Sequence, residues 1–390
     1  MSTLIRSILL PAAACVAVGV IAAPLRAEDA PAPPDKAKVE ALIDKAETWL
    51  LSKQQPNGAF MPGNQFVLGI TAMAAESLAL APKAGDDAVA KALALLKSNQ
   101  QSDGGIYNKH EGLGNYTTSI TLMALAAAGK LDENKDLVKK AQNYLFGCQR
   151  TEDPTGLRVG GIGYDQEDGP THQDITNTGM AVTALHATGV PSDDPHMKAA
   201  LAFLERCQNL SSVNKLPWVT NDGGAVYTPD ESGAGGTWIT DEEKKNPTTK
   251  LASTGSMTYT LLESYLSLDL KPGDPRVDAA YNWVKTHYQF DANPGMIAGK
   301  EHQGLFYYYT FMGKTLNLLG AKTFPDGAGK TVDWRTGLFD AISAHAVPVK
   351  TPDGKDGVMW MNDAQRWGEG LPHLSTVYMI KALKAIDASL

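Results

Sequence analysis

Hydrophobic positions recur at helical spacing along most of the chain, in stripes of two kinds. In Val39, Leu42, Ile43, Ala46, Trp49 and Leu50, and again in Leu137, Val138, Ala141, Tyr144, Leu145 and Cys148, they cover one helix face and leave the other to polar residues. In 117–128, 176–188, 256–268, 309–319 and 374–386 apolar residues run nearly all round. The first kind predicts helices with one wet face, the second helices that lie inside.

The two kinds alternate within a repeated unit. Lys45 to Gln54 (KAETWLLSKQ) closes a helix on Gln and is followed by Gly58, Ala59 and Phe60; Lys140 to Gln149 does the same, with Gly161, Ile162, Gly163 and Tyr164 after it. Weaker copies run from Lys91 to Tyr107, from Lys198 to Gln208 with Gly223 to Tyr227, from Val277 to Tyr288 with Pro294-Gly295, and from Trp334 to His345 with Asp356-Gly357. That makes about six helical hairpins, or about twelve helices. Asp194-Pro195 and Asp274-Pro275 place an acid and a first-turn proline at starts of first helices, and Gly129, Gly189 and Gly320 stop second helices. Such hairpins can stack as an open solenoid or close into a ring. Closure removes the exposed end faces, which favours an all-α fold, a single α/α toroid of six hairpins with Gln-to-aromatic repeats, over 36–390.

Ahead of it, 1–27 carries Arg6, an apolar run from Ile8 to Ala23 and a small-residue end at Ala27, and reads as a signal peptide, with a retained membrane anchor as the alternative. Residues 28–35 (EDAPAPPD) form a proline-rich spacer. Cleavage would remove two arginines and no acid, so that 35 basic residues become 33 against 43 acidic ones and the net charge moves from −8 to −10. This balance argues against nucleic acid or an anionic membrane as partner. The expected location is periplasmic or extracellular, with no stable transmembrane anchor after cleavage. Cys148 and Cys207 precede equivalent Gln residues; neighbouring helix axes about 8–10 Å apart suit two buried thiols better than a disulfide, which needs Cα atoms within about 7 Å.

At these residues the chain resembles the terpenoid cyclase and protein prenyltransferase superfamily, whose α/α toroids carry a Gln-to-Trp repeat of this form. It looks most like secreted bacterial prenyltransferase and squalene oxidase repeat proteins, on Gly255-Ser256-Met257-Thr258-Tyr259 and Gln303-Gly304-Leu305-Phe306-Tyr307-Tyr308-Tyr309. The resemblance covers about 36–390. It implies that Gln54, Gln149 and Gln208 are staples tying a helix end to a neighbour, with Phe60, Tyr107, Tyr164 and Tyr227 standing where relatives often have Trp.

The resemblance does not carry over its chemistry. Protonating an alkene requires an unusually acidic carboxylic acid in an Asp-x-Asp-Asp motif, and the chain has none; Asp86-Asp87 and Asp193-Asp194 sit where capping carboxylates belong. No Asp-Asp-x-x-Asp is present to hold metal and diphosphate. Tyr309 stands where a prenyltransferase zinc histidine would be, and the thioester motif Cys-Gly-Glu-Gln has no match at Cys148-Gln149-Arg150. Asp165, Glu167 and Asp168 could bind calcium but read as a solvated loop. No cofactor or metal is expected.

A site, if built, belongs at the toroid mouth, where turns and inner-helix starts converge. The longest connection, 209–251, carries Trp218, Asp222, Tyr227, Glu231, Trp238, Asp241 and Glu242, with Gly233 to Gly236 as a hinge for a lid. Candidate ligand-binding residues are Tyr307, Tyr308, Tyr309, Trp238, Trp367, Arg366, Asn177 and Ser256. Candidate acids and bases are Glu301, His302, Glu369 and Asp174. The expected partner is an apolar isoprenoid, a carbohydrate or a protein bound at the mouth; an enzyme acting on isoprenoids or carbohydrates is the alternative.

Overall fold

The computed structural model describes residues 32–61, 63–80, 86–110, 112–166, 172–234, 249–325 and 331–390. Residues 1–27, where a signal peptide is expected, lie outside them, as do Glu167, Asp168, Trp238, Asp241 and Glu242.

Twelve α-helices among the described residues alternate between two shells. The outer ones are α1 (Lys36–Leu51), α3 (Asp86–Ser98), α5 (Lys135–Gly147), α7 (Pro195–Cys207), α9 (Pro275–His287) and α11 (Trp334–Ala344). The inner ones are α2 (Val67–Ala79), α4 (Gly114–Ala127), α6 (Ile175–Ala187), α8 (Gly255–Ser267), α10 (Leu305–Leu318) and α12 (Pro372–Ser389). Each inner helix packs on the next, and α12 packs back on α2, so the ring is closed. Two short antiparallel hairpins are added that the helical periodicity does not announce: β1 (Thr323–Pro325) with β2 (Thr331–Asp333), and β3 (Val347–Lys350) with β4 (Asp356–Met359).

Caps fix the helix boundaries. Asp194 and Asp274 accept from the amides of His196 and Arg276 ahead of a first-turn proline. Gly129, Gly189 and Gly320 take left-handed φ of 65°, 86° and 64° just beyond inner helices, and the next amide in each case returns to a carbonyl of the last turn. Asp269 fills the same place after α8 with φ 62°, a conformation glycine adopts at lower cost.

The Gln staple recurs with one geometry. Nε2 of Gln54, Gln100, Gln149 and Gln208 donates to the carbonyl of the turn glycine (Gly58, Gly104, Gly160, Gly223) and to a first-turn carbonyl of the next outer helix, from Ala88, Leu137, His196 and Arg276. Each Gln thereby ties the end of one hairpin's outer helix to the start of the next. The turn glycine lies so close to that neighbour that a Cβ on Gly104 would collide with the Lys140 carbonyl. In the sixth hairpin Gly357 lies against Trp49 of α1, which completes the circuit.

The aromatic register differs from the sequence expectation. The amide two residues beyond the turn glycine donates to an inner-helix threonine, Phe60 to Thr71, Ile106 to Thr118, Ile162 to Thr178 and Ala225 to Thr258; in the sixth hairpin the Trp360 amide, three residues beyond Gly357, donates to Thr376. Ile106, Ile162 and Ala225 are therefore the counterparts of Phe60 and Trp360. Tyr107, Tyr164 and Tyr227 follow one or two residues later, because this threonine bond, and not the aromatic ring, sets the register. Cys148 and Cys207 are both buried thiols.

Candidate functional site

The inner helices all start at one end of the ring, so the connections that precede them form its mouth, and most of these are longer than the connections at the opposite end. Asp174 caps α6 there. It is 2% exposed and accepts from the amides of Thr176 and Asn177, from the Thr176 hydroxyl, from Asn177 Nδ2 and from the Tyr227 hydroxyl. Burial raises its pKa while those donors pull it down. With both oxygens saturated, this carboxylate holds the helix start together. Asn177 in turn accepts from Asn115 Nδ2, and Ser256 is tied to Asn293 through its amide and hydroxyl.

Three consecutive tyrosines of α10 separate in role. The Tyr308 hydroxyl donates to the Gln289 carbonyl and the Tyr309 hydroxyl to that of Phe290, and both rings are fully buried. Neither can touch a ligand at the mouth; they fasten the turn after α9. Tyr307 instead points into the centre of the ring, its hydroxyl 3.2 Å from Thr260 Oγ1.

A corner of the mouth gathers several sequence candidates through a residue the sequence did not single out. α10 begins after Gly304, which has φ 68° and no side chain to cap the helix. Glu369 supplies the cap from another connection: its Oε1 accepts from the Tyr307 amide at 2.7 Å, and its Oε2 from Asn362 Nδ2 at 2.6 Å. Asn362 Nδ2 also donates to the His302 carbonyl. Burial pushes the Glu369 carboxyl up to about 7 against the pull of these amides. His302 itself is exposed, and Glu301 lies on a turn whose own amides hold its carboxyl below the usual range. Glu301 is thus a standing carboxylate, unsuited to giving up a proton near neutrality.

Beside them Trp367 is 55% exposed, with a left-handed φ of 56° that a bulky residue rarely adopts. Its indole rests against Gly304, and the Arg366 guanidinium lies 4.9 Å from its ring centroid. Glu231 belongs to this surface: burial and the charge of Asp230 raise its carboxyl to about 7, while Arg158 and Arg366 oppose the shift. The buried Arg158 ion-pairs with Asp230 and donates to the Gln173 carbonyl, fixing that part of the long connection. Trp218, by contrast, is core, its Nε1 bonded to the Pro229 carbonyl. Trp238 lies outside the described residues, as do Gly235 and Gly236 of the expected hinge.

Below the mouth the six inner helices enclose a narrow lumen with about 50 Å³ of space open to water-sized molecules. Its far end is ionic: Lys314 Nζ lies 2.5 Å from Glu263 Oε1, and Lys381 Nζ 2.9 Å from Glu76 Oε2. These residues were not among the sequence candidates, although charged side chains in otherwise apolar helices are the signal that marks them. No group of three or more His, Cys, Asp or Glu side chains among the described residues is placed to share a metal ion, and no described helix is long and apolar enough to cross a membrane.

Comparison with known proteins agrees with this architecture. The family described as the squalene-hopene cyclase C-terminal domain matches residues 64–223. The type II terpene cyclase MstE from Scytonema superposes over 92% of this chain and 100% of its own, with a TM-score of 0.54 at 15% identity. The chain has the α/α-toroid fold of the terpenoid cyclase and prenyltransferase superfamily. The toroid is shared with other chemistries. A D-mannose isomerase matches over 93% of this chain and 100% of its own (TM-score 0.58, 14% identity), and a glycosidase in complex with glucose over 91% and 98% (TM-score 0.51, 15% identity). At these identities the likeness is one of fold alone. No curated protein matches the chain in sequence.

Proposed function

We propose that this cyclase-like toroid binds a polyhydroxyl ligand, a carbohydrate in the first instance, at its mouth, and does not cyclise an isoprenoid in its centre. The observation that carries this reading is Trp367. A half-exposed indole held in a strained left-handed conformation, flanked by an exposed guanidinium, is an aromatic platform with hydrogen-bond donors at its edge. Glu231, half-buried and carrying a carboxyl raised to about 7, adds an acceptor or a donor according to its protonation. The lumen argues in the same direction. About 50 Å³ is far below the few hundred Å³ of a pocket that encloses a drug-sized ligand, and its far end is bolted by two ion pairs.

The reading includes export, with cleavage near Ala27, supported by the charge and apolar pattern of 1–27. N-terminal sequencing of protein from the cell envelope fraction tests that part. Binding is tested by screening the mature protein against an oligosaccharide array and titrating the hits calorimetrically with wild type and Trp367→Ala. Hits that lose at least tenfold in affinity in the variant support the reading. An array without hits, together with a discrete isoprenoid adduct in native mass spectra after exposure to envelope lipids, would replace it with the isoprenoid alternative.

A further inference from the structure

Four connections at the mouth cross the start of the inner helix before them. The first-turn amides of Asn115 in α4, Ile175 in α6 and Gly255 in α8 donate to the carbonyls of Tyr164, Tyr227 and Pro294, and that of Tyr307 in α10 donates to Glu369. Tyr164 therefore stands over α4, Tyr227 over α6, and the corner that carries Trp367 over α10. The inner helices pack in the order α2, α4, α6, α8, α10, α12 and back to α2, so α4 and α10 are opposite. With neighbouring axes about 8–10 Å apart, opposite members of a ring of six are about 16–20 Å apart.

Across the mouth from Trp367 lies a second aromatic surface. The Tyr164 ring is 5.9 Å from that of Tyr116, in the first turn of α4. A side-chain hydrogen bond joins Tyr164 to Tyr227, whose hydroxyl donates to Asp174 Oδ2 at 2.9 Å, and the Tyr116 hydroxyl donates to Thr176 Oγ1 at 2.7 Å. The start of α6 thus holds the polar edges of all three rings, that of Tyr164 through Tyr227. Tyr116, Tyr164 and Tyr227 are nevertheless only half-buried, whereas Tyr308 and Tyr309, which serve packing, are fully buried. An aromatic ring fixed at its edge and open on part of its surface loses little entropy when a ligand stacks on it. The wall between the two aromatic surfaces is continuous: Tyr227 pairs with Ser232 and Thr228 with Glu231 in one tight hairpin, Ala234 accepts from the Ile297 amide, and that connection runs on to Gly304, which lies against the Trp367 indole.

We propose that the mouth takes an oligosaccharide long enough to span it, one end stacked on Trp367 and the other on Tyr164 and Tyr116, with Tyr227 and Glu231 along its path. This rests on the reading of the mouth as a carbohydrate site and adds the length of the ligand and its second contact. A single sugar reaches one platform only, since the two stand over opposite helices.

The test is calorimetric titration of the mature protein with cello-, xylo-, manno- and chito-oligosaccharide ladders from monosaccharide to hexasaccharide. In a ladder that binds, affinity rises by about tenfold or more between disaccharide and hexasaccharide, the scale of one added aromatic contact. Tyr164→Ala abolishes that rise and leaves the disaccharide bound as in wild type, Tyr164→Phe keeps the ring and the rise, and Trp367→Ala weakens every length. The rise is read on wild type first, so a variant that fails to fold leaves the test standing. Affinity that does not depend on length, or a rise that survives Tyr164→Ala, overturns this inference and leaves Trp367 as the contact of the mouth reading. Absence of binding to every ladder and to the oligosaccharide array removes the mouth reading itself, and this inference with it.

Discussion

Glu369 accepts a 2.7 Å hydrogen bond from the backbone amide of Tyr307, so the first turn of α10 is capped by a carboxyl from a connection 62 residues away. Gly304 leaves that helix without a cap of its own. The arrangement makes the stability of the mouth depend on one proton.

The sign follows from the direction of the shift. The folded carboxyl holds its proton up to about pH 7, whereas the unfolded one loses it near 4.5. Between these values the folded state binds more protons, so stability is greatest below about 4.5 and falls as pH rises through the window, by about 3 kcal/mol if no other group intervenes. Glu369→Gln, which mimics the protonated form, should flatten this slope whatever its effect at a single pH. Calorimetric melting of wild type and variant from pH 4.5 to 8 measures it, and parallel curves would refute the assignment.

Gln208 makes the most buried of the four staples. Its amide donates to Gly223 and Arg276, and its Oε1 accepts from the Tyr265 hydroxyl at 2.8 Å. Gln208→Leu orphans three buried groups and should destabilise the ring by about 3 kcal/mol or more. Gln54, part-buried at the first junction, has two such bonds and water within reach, so Gln54→Leu should cost about half as much. Urea unfolding of the two variants ranks them; equal losses would mean that the staple's strength does not follow its burial.

Much of this circuit is legible in the sequence because it is local. Each Gln, each turn glycine and each Asp-Pro start acts within a hairpin or on the one that follows, and repetition makes it visible. What depends on ring closure is not. Glu76 and Lys381 lie 305 residues apart and meet only because α12 returns to α2. Tyr308 and Tyr309 look like ligand aromatics in sequence, yet their hydroxyls fasten a turn, since helical phase decides which of three successive rings faces the centre. Asn362 carries no sequence mark, and its role arises from two connections crossing at the start of α10.

Two glycines with similar φ separate conformational from steric constraint. Gly189 has φ 86° and nothing within 4 Å of the place a Cβ would take, so Gly189→Ala should cost about 1 kcal/mol for the left-handed backbone alone. Gly104 has φ 95° and abuts the Lys140 carbonyl, so Gly104→Ala must also push hairpins two and three apart and should cost about 3 kcal/mol or more. Thermal melts distinguish them. Equal shifts would show that the junction between hairpins yields at little cost.

Trp367 joins strain to function in one residue. Its φ of 56° disfavours any side chain by about 1–2 kcal/mol, and the indole recovers little of this by burial because it is 55% exposed. Glycine at this position relieves the backbone, so Trp367→Gly should leave the melting temperature unchanged or raise it by a few degrees. A platform retained for binding must then show the opposite response in affinity, with a loss of at least tenfold for any oligosaccharide the wild type binds. Melting and titration of the same sample settle the matter. A variant that melts well below wild type would make Trp367 a packing residue, and one that keeps full affinity would move the ligand away from this corner of the mouth.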